Sequence, residues 1–161
     1  MKLLMVCLGN ICRSPMAEGI LRHKLISEGE DYVVDSAGTD GFHVGEGPDK
    51  RAVKIAKQHG VDIVNLKCRK FEHQDFTRFD YIFAMDKSNY SNLIRLAKNE
   101  EEKSRVHLFL EFTGNPNVQE VPDPWYGNED DFENVYRLLD SACDKAVELL
   151  KQTKSKALKR P

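Results

Sequence analysis

Eight residues, Cys7-Leu8-Gly9-Asn10-Ile11-Cys12-Arg13-Ser14, hold a candidate nucleophile and a candidate anion clamp. The clamp is an arginine, with five residues between it and the first cysteine. An apolar run at residues 3–6 precedes them and reads as a short buried strand. Ser14-Pro15 follows and opens a helical pattern. Serine is a good N-cap, and proline fits the first helical position, where its missing N–H would have no partner. A loop between strand and helix directs successive N–H groups into a concavity beside the positive end of the helix, which suits an oxyanion. A cysteine in that field favours thiolate, the nucleophilic form. Arginine offers a planar fork matched to two phosphoryl oxygens. The segment Leu8, Gly9, Asn10, Ile11, Cys12, Arg13 and Ser14 is therefore the expected phosphate cradle, with Cys7 at its floor.

Other readings of the cysteines are weaker. A lone cysteine after a strand is commonly a small buried hydrophobe. Structural zinc needs a second pair, and Cys68 and Cys143 stand apart in the chain. Four scattered cysteines without a secretion signal do not make a disulfide framework.

The elements that must position this loop follow from periodicity. With 161 residues, 40% hydrophobic and 31% charged, the chain suits one globular domain. Met16, Ala17, Ile20, Leu21 and Leu25 recur at helical spacing, ending near Gly29. Residues 32–36 read as a second strand, 81–85 as a third and 106–110 as a fourth. Pro48 opens a helix carrying Ala52, Ile55, Ala56 and His59, closed by Gly60. Residues 89–98 look helical, and 131–151 form the longest helix, with Phe132, Val135, Leu139, Ala142, Ala146 and Leu150 inward. Residues 154–161 are basic and aperiodic, an expected flexible tail. Short apolar strands alternating with helices imply a parallel sheet covered on both faces, which binds ligands at the carboxyl ends of its strands. Cys7 lies at such an end.

A phosphorylated cysteine chemistry also needs a proton donor for a poor leaving group. In Val121-Pro122-Asp123-Pro124-Trp125-Tyr126-Gly127 the carboxyl of Asp123 lies between two prolines that restrict its backbone. Desolvation by the following aromatics, or a nearby anion, would keep such an acid protonated. Asp-Pro is also a common turn dipeptide, and Trp125 and Tyr126 also suit a core.

These blocks resemble the low-molecular-weight protein tyrosine phosphatases. Residues 6–18 resemble that family's phosphate loop and first helix, and Asp35-Ser36-Ala37-Gly38-Thr39 the end of its second strand. Residues 45–52 are similar to the segment behind its variable loop, and residues 123–127 to its general-acid loop. The blocks run in family order across residues 1–150. The resemblance implies a single-domain open parallel sheet of four strands with helices on both faces, flavodoxin-like or Rossmann-like, in the order 2-1-3-4. Residues 1–153 would be the phosphatase domain. Cys7 is then the nucleophile, Arg13 the phosphoryl clamp and Asp123 the acid. Ser14 would donate to the Cys7 thiolate. Asn10 would hold a left-handed turn over Ser36. Cys12 would be the redox partner that traps oxidised Cys7 as a disulfide. Phe42, Trp125 and Tyr126 would line the substrate cleft. Two departures stand out: Leu66 where some relatives carry a histidine, and Lys50 where proline is usual.

Hydrolysis of aryl phosphate monoesters through a phosphocysteine is the expected reaction, with no metal or cofactor because the loop supplies the positive charge. A thioredoxin-coupled arsenate reductase of the same fold is the alternative, but residues 86–90, after the third strand, hold no cysteine. A non-catalytic phosphotyrosine-binding module is a third reading, disfavoured by the presence of nucleophile, clamp and acid together. Ile11, where phosphoarginine-preferring relatives carry threonine, leans towards phosphotyrosine. The net charge of −2 suggests no nucleic-acid partner. No membrane-spanning run or signal peptide is evident, so a cytoplasmic monomer acting on phosphotyrosine proteins is expected.

Overall fold

A computed structural model describes residues 1–158 of the chain. Four strands, β1 (Lys2–Cys7), β2 (Val33–Gly38), β3 (Tyr81–Ala84) and β4 (Val106–Leu108), form one parallel sheet in the order β2-β1-β3-β4. The expected order is the one observed. The central strand β1 is apolar throughout its middle because both of its faces are covered. Its alternating side chains serve two cores. Leu3, Met5 and Cys7 join a cluster with helices α1 (Arg13–Ser27), α2 (Lys50–Gln58) and α7 (Glu129–Leu158). Leu4 and Val6 join a second cluster with α3 (Asp75–Arg78) and α4 (Lys87–Leu96). Among the described residues, no helix is long and apolar enough to cross a membrane.

Register brings the site together. Cys7 pairs with Gly38, and Val6 with Ala84, so β1, β2 and β3 end at one edge of the sheet. The chain leaves β1 towards β2 on one side and returns to β3 on the other, which opens a crevice at that edge. The loops after β1 and β3 meet there. Gly38 is required beneath the first of them. A Cβ at this position would lie 2.7 Å from the Leu8 carbonyl oxygen and 3.1 Å from the Gly9 carbonyl carbon.

Several boundaries differ from the periodicity. Helix α1 begins at Arg13 with Cys12 at its N-cap and no side-chain cap; Ser14 is inside the helix and its hydroxyl is engaged elsewhere. Helix α2 is capped by Asp49, whose carboxylate accepts from the Arg51 N–H (2.8 Å), one residue after the expected Pro48 start. The run at 106–110 splits: β4 ends at Leu108 and α6 (Phe109–Phe112) follows, turning Phe109 and Leu110 into the main core. Apolar residues in so short a run do not distinguish strand from buried helix. A short helix, α5 (Glu100–Ser104), fills the acidic segment before β4, capped by Asn99. Helix α7 continues through the expected tail to Leu158. It does so without an apolar stripe after Leu150, helped by Lys151 and Lys154, which reach Glu28 (2.7 Å) and Glu30 (2.6 Å). The remainder of that tail, 159–161, lies outside the described residues.

Gly38→Ala should destabilise the fold by about 1–3 kcal/mol, the usual cost of overpacking, because the atoms it meets are backbone and cannot swing away. Urea titration measures the loss, and vanadate affinity should fall with it. Gly47→Ala, with nothing within 4 Å of the new methyl, should change neither.

Candidate active site

Five carbonyls around the loop after β1 have named partners outside it. The Cys7 oxygen accepts from the Thr39 N–H (2.9 Å) and Leu8 from Asp40 (3.0 Å). Ile11 accepts from Asp49 (2.8 Å), Cys12 from Met16 (3.3 Å) and Gly9 from the Cys68 thiol (3.1 Å). A carbonyl and the N–H of the next residue point opposite ways in one planar peptide. Turning a carbonyl outward therefore turns the N–H that follows it the other way, and at the Gly9–Asn10 peptide that way is the Cys7 sulfur. The Asn10 N–H lies 3.3 Å from that sulfur.

Asn10 sits at φ 55°, the left-handed region that asparagine tolerates. Its buried side chain locks the loop. The amide nitrogen donates to Ser14 Oγ (2.8 Å) and Ser36 Oγ (2.9 Å), and the amide oxygen accepts from the Arg69 N–H (3.0 Å). Ser36 passes its proton side to Glu18 Oε2 at 2.5 Å, and Glu18 is paired with Arg22. Burial pushes the Glu18 carboxyl up from its ordinary value, while Ser36 and Arg22 pull it back. Ser14 already accepts from Asn10, so its own proton is free for Cys7 Sγ, 3.1 Å away.

Arg13 is buried at the start of α1. One guanidinium nitrogen donates to Asp86 Oδ2 (2.6 Å) and the Val121 carbonyl (3.1 Å), the other to Asp123 Oδ2 (3.2 Å). Burial opposes its charge, and Cys7, Asp86 and Asp123 more than offset that. Asp86 is itself fixed as the N-cap of α4, accepting from the Asn89 N–H (2.7 Å). With its amide nitrogen turned towards Asp86, the Asn89 side chain donates to the same carboxylate (3.0 and 3.2 Å).

The segment bearing Asp123 is held at both ends. Val121 N–H donates to the Met85 carbonyl (2.8 Å), just past β3. Arg51, forked onto Asp49, donates to the carbonyls of Trp125 (3.2 Å) and Gly127 (3.1 Å), with its guanidinium 4.5 Å from the Phe132 ring. The Asp123 side chain is 43% exposed, so the aromatics beside it do not desolvate it as the sequence suggested. A cavity of about 260 Å³ opens over the loop. Cys7, Cys12 and Arg13 line its base, and Asp123, Trp125, Tyr126, Phe42 and His43 surround it. Phe42 (86% exposed) and Tyr126 (96%) are rim residues rather than buried walls. His43 bridges the rim, its ring tilted 5.8 Å from Trp125 and its Nδ1 bonded to Glu46 (2.9 Å).

The family model of the low molecular weight phosphotyrosine protein phosphatases matches residues 2–156. The chain belongs to the low-molecular-weight phosphotyrosine protein phosphatase family. It is 43% identical to the Saccharomyces cerevisiae low molecular weight phosphotyrosine protein phosphatase over 137 residues, 82% of this chain and 84% of the relative. The corresponding Homo sapiens phosphatase is 40% identical over 144 residues, 87% and 89% of the two chains. The crystal structure of an Entamoeba histolytica protein tyrosine phosphatase superposes with a TM-score of 0.90 at 40% identity, covering 96% of this chain and 99% of that one.

In this phosphatase the residues singled out by motif, from Cys7 to Ser14 with Ser36 and Asp123, converge on one edge of the sheet. Four contributors escaped the motif reading: Glu18, Arg51, Cys68 and Asp86. Asp86 carried a usable signal, since an aspartate three residues before Asn89 at a strand's carboxyl end reads as a helix cap facing the crevice. Glu18 and Arg51 have local partners in Arg22 and Asp49, but what they hold at the site, Ser36 and the segment at 125–127, lies elsewhere in the chain, as Gly9 does for Cys68. Leu66, at the histidine position of some relatives, packs partly buried against the main core. The polar chain beneath the loop after β1 runs instead from Asn10 through Ser36 to Glu18 and Arg22.

Asn10→Ala should cost about 2–4 kcal/mol, from left-handed strain and the lost side-chain bonds. Asn10→Gly should recover the strain, about 1–2 kcal/mol of it, without the polar network. Denaturant unfolding of both variants separates the two contributions.

Proposed function

We propose that the chain is a protein-tyrosine phosphatase that hydrolyses phosphotyrosine through a phosphocysteine on Cys7, with Arg13 as clamp and Asp123 as general acid and base. The observation that carries this reading is the convergence of Cys7, Arg13 and Asp123 on one cavity, with an N–H and a hydroxyl aimed at the sulfur. Family membership supports the reaction class.

In the first displacement the Cys7 thiolate attacks phosphorus in line. Arg13 and the inward N–H groups take the equatorial oxygens. As the S–P bond forms, the P–O bond to tyrosine breaks, and Asp123 gives its proton to the departing phenolate. A phosphoryl dianion on Arg13 would also place negative charge beside Asp123, a setting that favours the carboxylic acid before transfer. In the second displacement Asp123, now carboxylate, takes a proton from water as the oxygen attacks phosphorus and Cys7 leaves as thiolate. The aryl group suits the aromatic rim, and in this reading an ester that lacks a ring would not reach the sulfur. The substrate in this reading is a phosphotyrosine protein met by a cytoplasmic monomer.

The arsenate-reductase alternative finds no support. Residues 86–90 supply no thiol after β3, and Cys143 is buried in α7 among core residues. Cys12, beside the nucleophile, is the proposed redox partner. Peroxide oxidises Cys7 to a sulfenic acid with loss of water, and the Cys12 sulfur then displaces hydroxide to form the disulfide, releasing a second water. Burial, with Asp49 and Cys7 nearby, pushes the Cys12 thiol well above its ordinary value, so closure requires removal of a tightly held proton. Peptide mapping after mild peroxide should show Cys7 joined to Cys12, formed faster as pH rises. Sulfinic acid on Cys7 without any disulfide would defeat the pairing.

Asp123→Asn tests the acid. Vanadate binding should stay nearly constant, because the anion contacts come from the loop and Arg13. Phosphotyrosine turnover should fall by roughly two to four powers of ten. Phosphorylation of Cys7 by p-nitrophenyl phosphate, whose leaving group needs less protonation, should suffer less. Equal loss for all leaving groups in that step would assign Asp123 a folding role instead.

A further inference from the structure

At Cys7, Leu8 and Ile11 the outward carbonyls of the loop are met by backbone N–H groups, but at Gly9 the partner is a side chain, the Cys68 thiol at 3.1 Å. The Gly9 carbonyl and the Asn10 N–H belong to the same peptide unit and point in opposite directions. On the inner side, that N–H is the donor to Cys7 Sγ at 3.3 Å. One rigid plane thus runs from the Cys68 sulfur to the nucleophilic sulfur. We propose that Cys68 is a positioning residue for the phosphatase reaction: its thiol holds and polarises the peptide whose N–H stabilises the Cys7 thiolate. The inference rests on the assignment of Cys7 as nucleophile.

The surroundings of Cys68 suit a donor. Its own backbone is clamped, the N–H on the Glu46 carbonyl (2.8 Å) and the carbonyl on the Gly45 N–H (2.9 Å). The next residue, Arg69, anchors the Asn10 amide oxygen, so residues 68 and 69 grip the two sides of the same turn. Cys68 is buried, and burial, with negative charge at Cys7, Asp40 and Glu46, pushes its thiol up to about 11. It therefore keeps its proton at neutral pH and serves as donor rather than rival nucleophile. A donor behind a peptide carbonyl strengthens the N–H in front of it, as hydrogen bonds in a chain polarise one another. Cys7 itself faces Cys12 within the loop, Arg13 at the start of α1, Cys68 behind it, and Asp40, His43 and Asp123 around the cavity. Replacing the Cys68 thiol by a hydroxyl changes none of those other charges.

Alkylation of Cys7 by iodoacetamide across a pH series, read on the Cys7 peptide by mass spectrometry, tests the proposal in the full chain. Cys68→Ala should move the alkylation midpoint about half a pH unit higher. It should also lower kcat/KM several-fold on the acid side of the profile. Cys68→Ser, which keeps a donor, should restore both. A midpoint unchanged in Cys68→Ala, or raised equally in the folded Cys68→Ser protein, overturns the proposal. If Cys68→Ala fails to fold, the serine variant decides alone: its midpoint should lie at or below that of the parent, and a higher one overturns the proposal. The midpoint reports the Cys7 thiolate whether or not the enzyme turns over. Residual hydrolysis by Cys7→Ser would instead defeat the nucleophile assignment on which the proposal rests, so the two failures are told apart by which measurement gives way.

Discussion

A loop that aims its N–H groups at one point must aim its carbonyls away from it, and every buried carbonyl needs a donor. That constraint organises the rest of the molecule. Thr39 and Asp40 come from the end of β2, Asp49 from the cap of α2, Met16 from α1 and Cys68 from the segment before α3. The order β2-β1-β3-β4 makes this possible, because it puts β1 in the middle, where segments from both sides can reach the loop that follows it. Leaving these groups unpaired would cost about 1–3 kcal/mol each, comparable in sum to the stability of a small domain.

Arg13 is the second organising residue. It is buried at the sheet edge and spans Asp86 after β3, the Val121 carbonyl and Asp123. A buried guanidinium needs partners of this kind, since taking its charge out of water is costly. The same contacts set the distance between the segment that carries Asp123 and the loop after β1. Arg51 fixes the far side of that segment through two backbone carbonyls, so Asp123 stands on a piece of chain tied at both ends although its carboxyl is open to solvent.

The place of the candidate site was legible in the sequence where residue type and short spacing carry it. Cys7 and Arg13 stand at the two ends of one loop, Asp123 is marked by its two prolines, and the left-handed turn at Asn10 followed from the family resemblance. The central strand and the α7 stripe were legible because burial imposes a period. Glu18, Arg51 and Cys68 were not, because each acts on a partner far away in sequence and looks locally like an ordinary helix or loop residue. Ser14 shows the opposite failure. Its type suits a cap, yet the network under Cys7 claims its hydroxyl, and the helix starts without a side-chain cap. The run at 106–110 misled because an edge strand and a buried helical turn use the same apolar residues.

Cys7 precedes the groups that hold its loop at 39, 40, 49 and 68, and those that hold Arg13 at 86 and 123. On a ribosome Cys7 therefore emerges before all of them, and the cavity around its sulfur is complete only once Asp123 has followed. Until then its sulfur lacks the Asn10 N–H and the Ser14 hydroxyl that the folded loop holds beside it. The site is in this sense a late property of synthesis, acquired together with the completed sheet, and partial chains carry the sulfur without its surroundings.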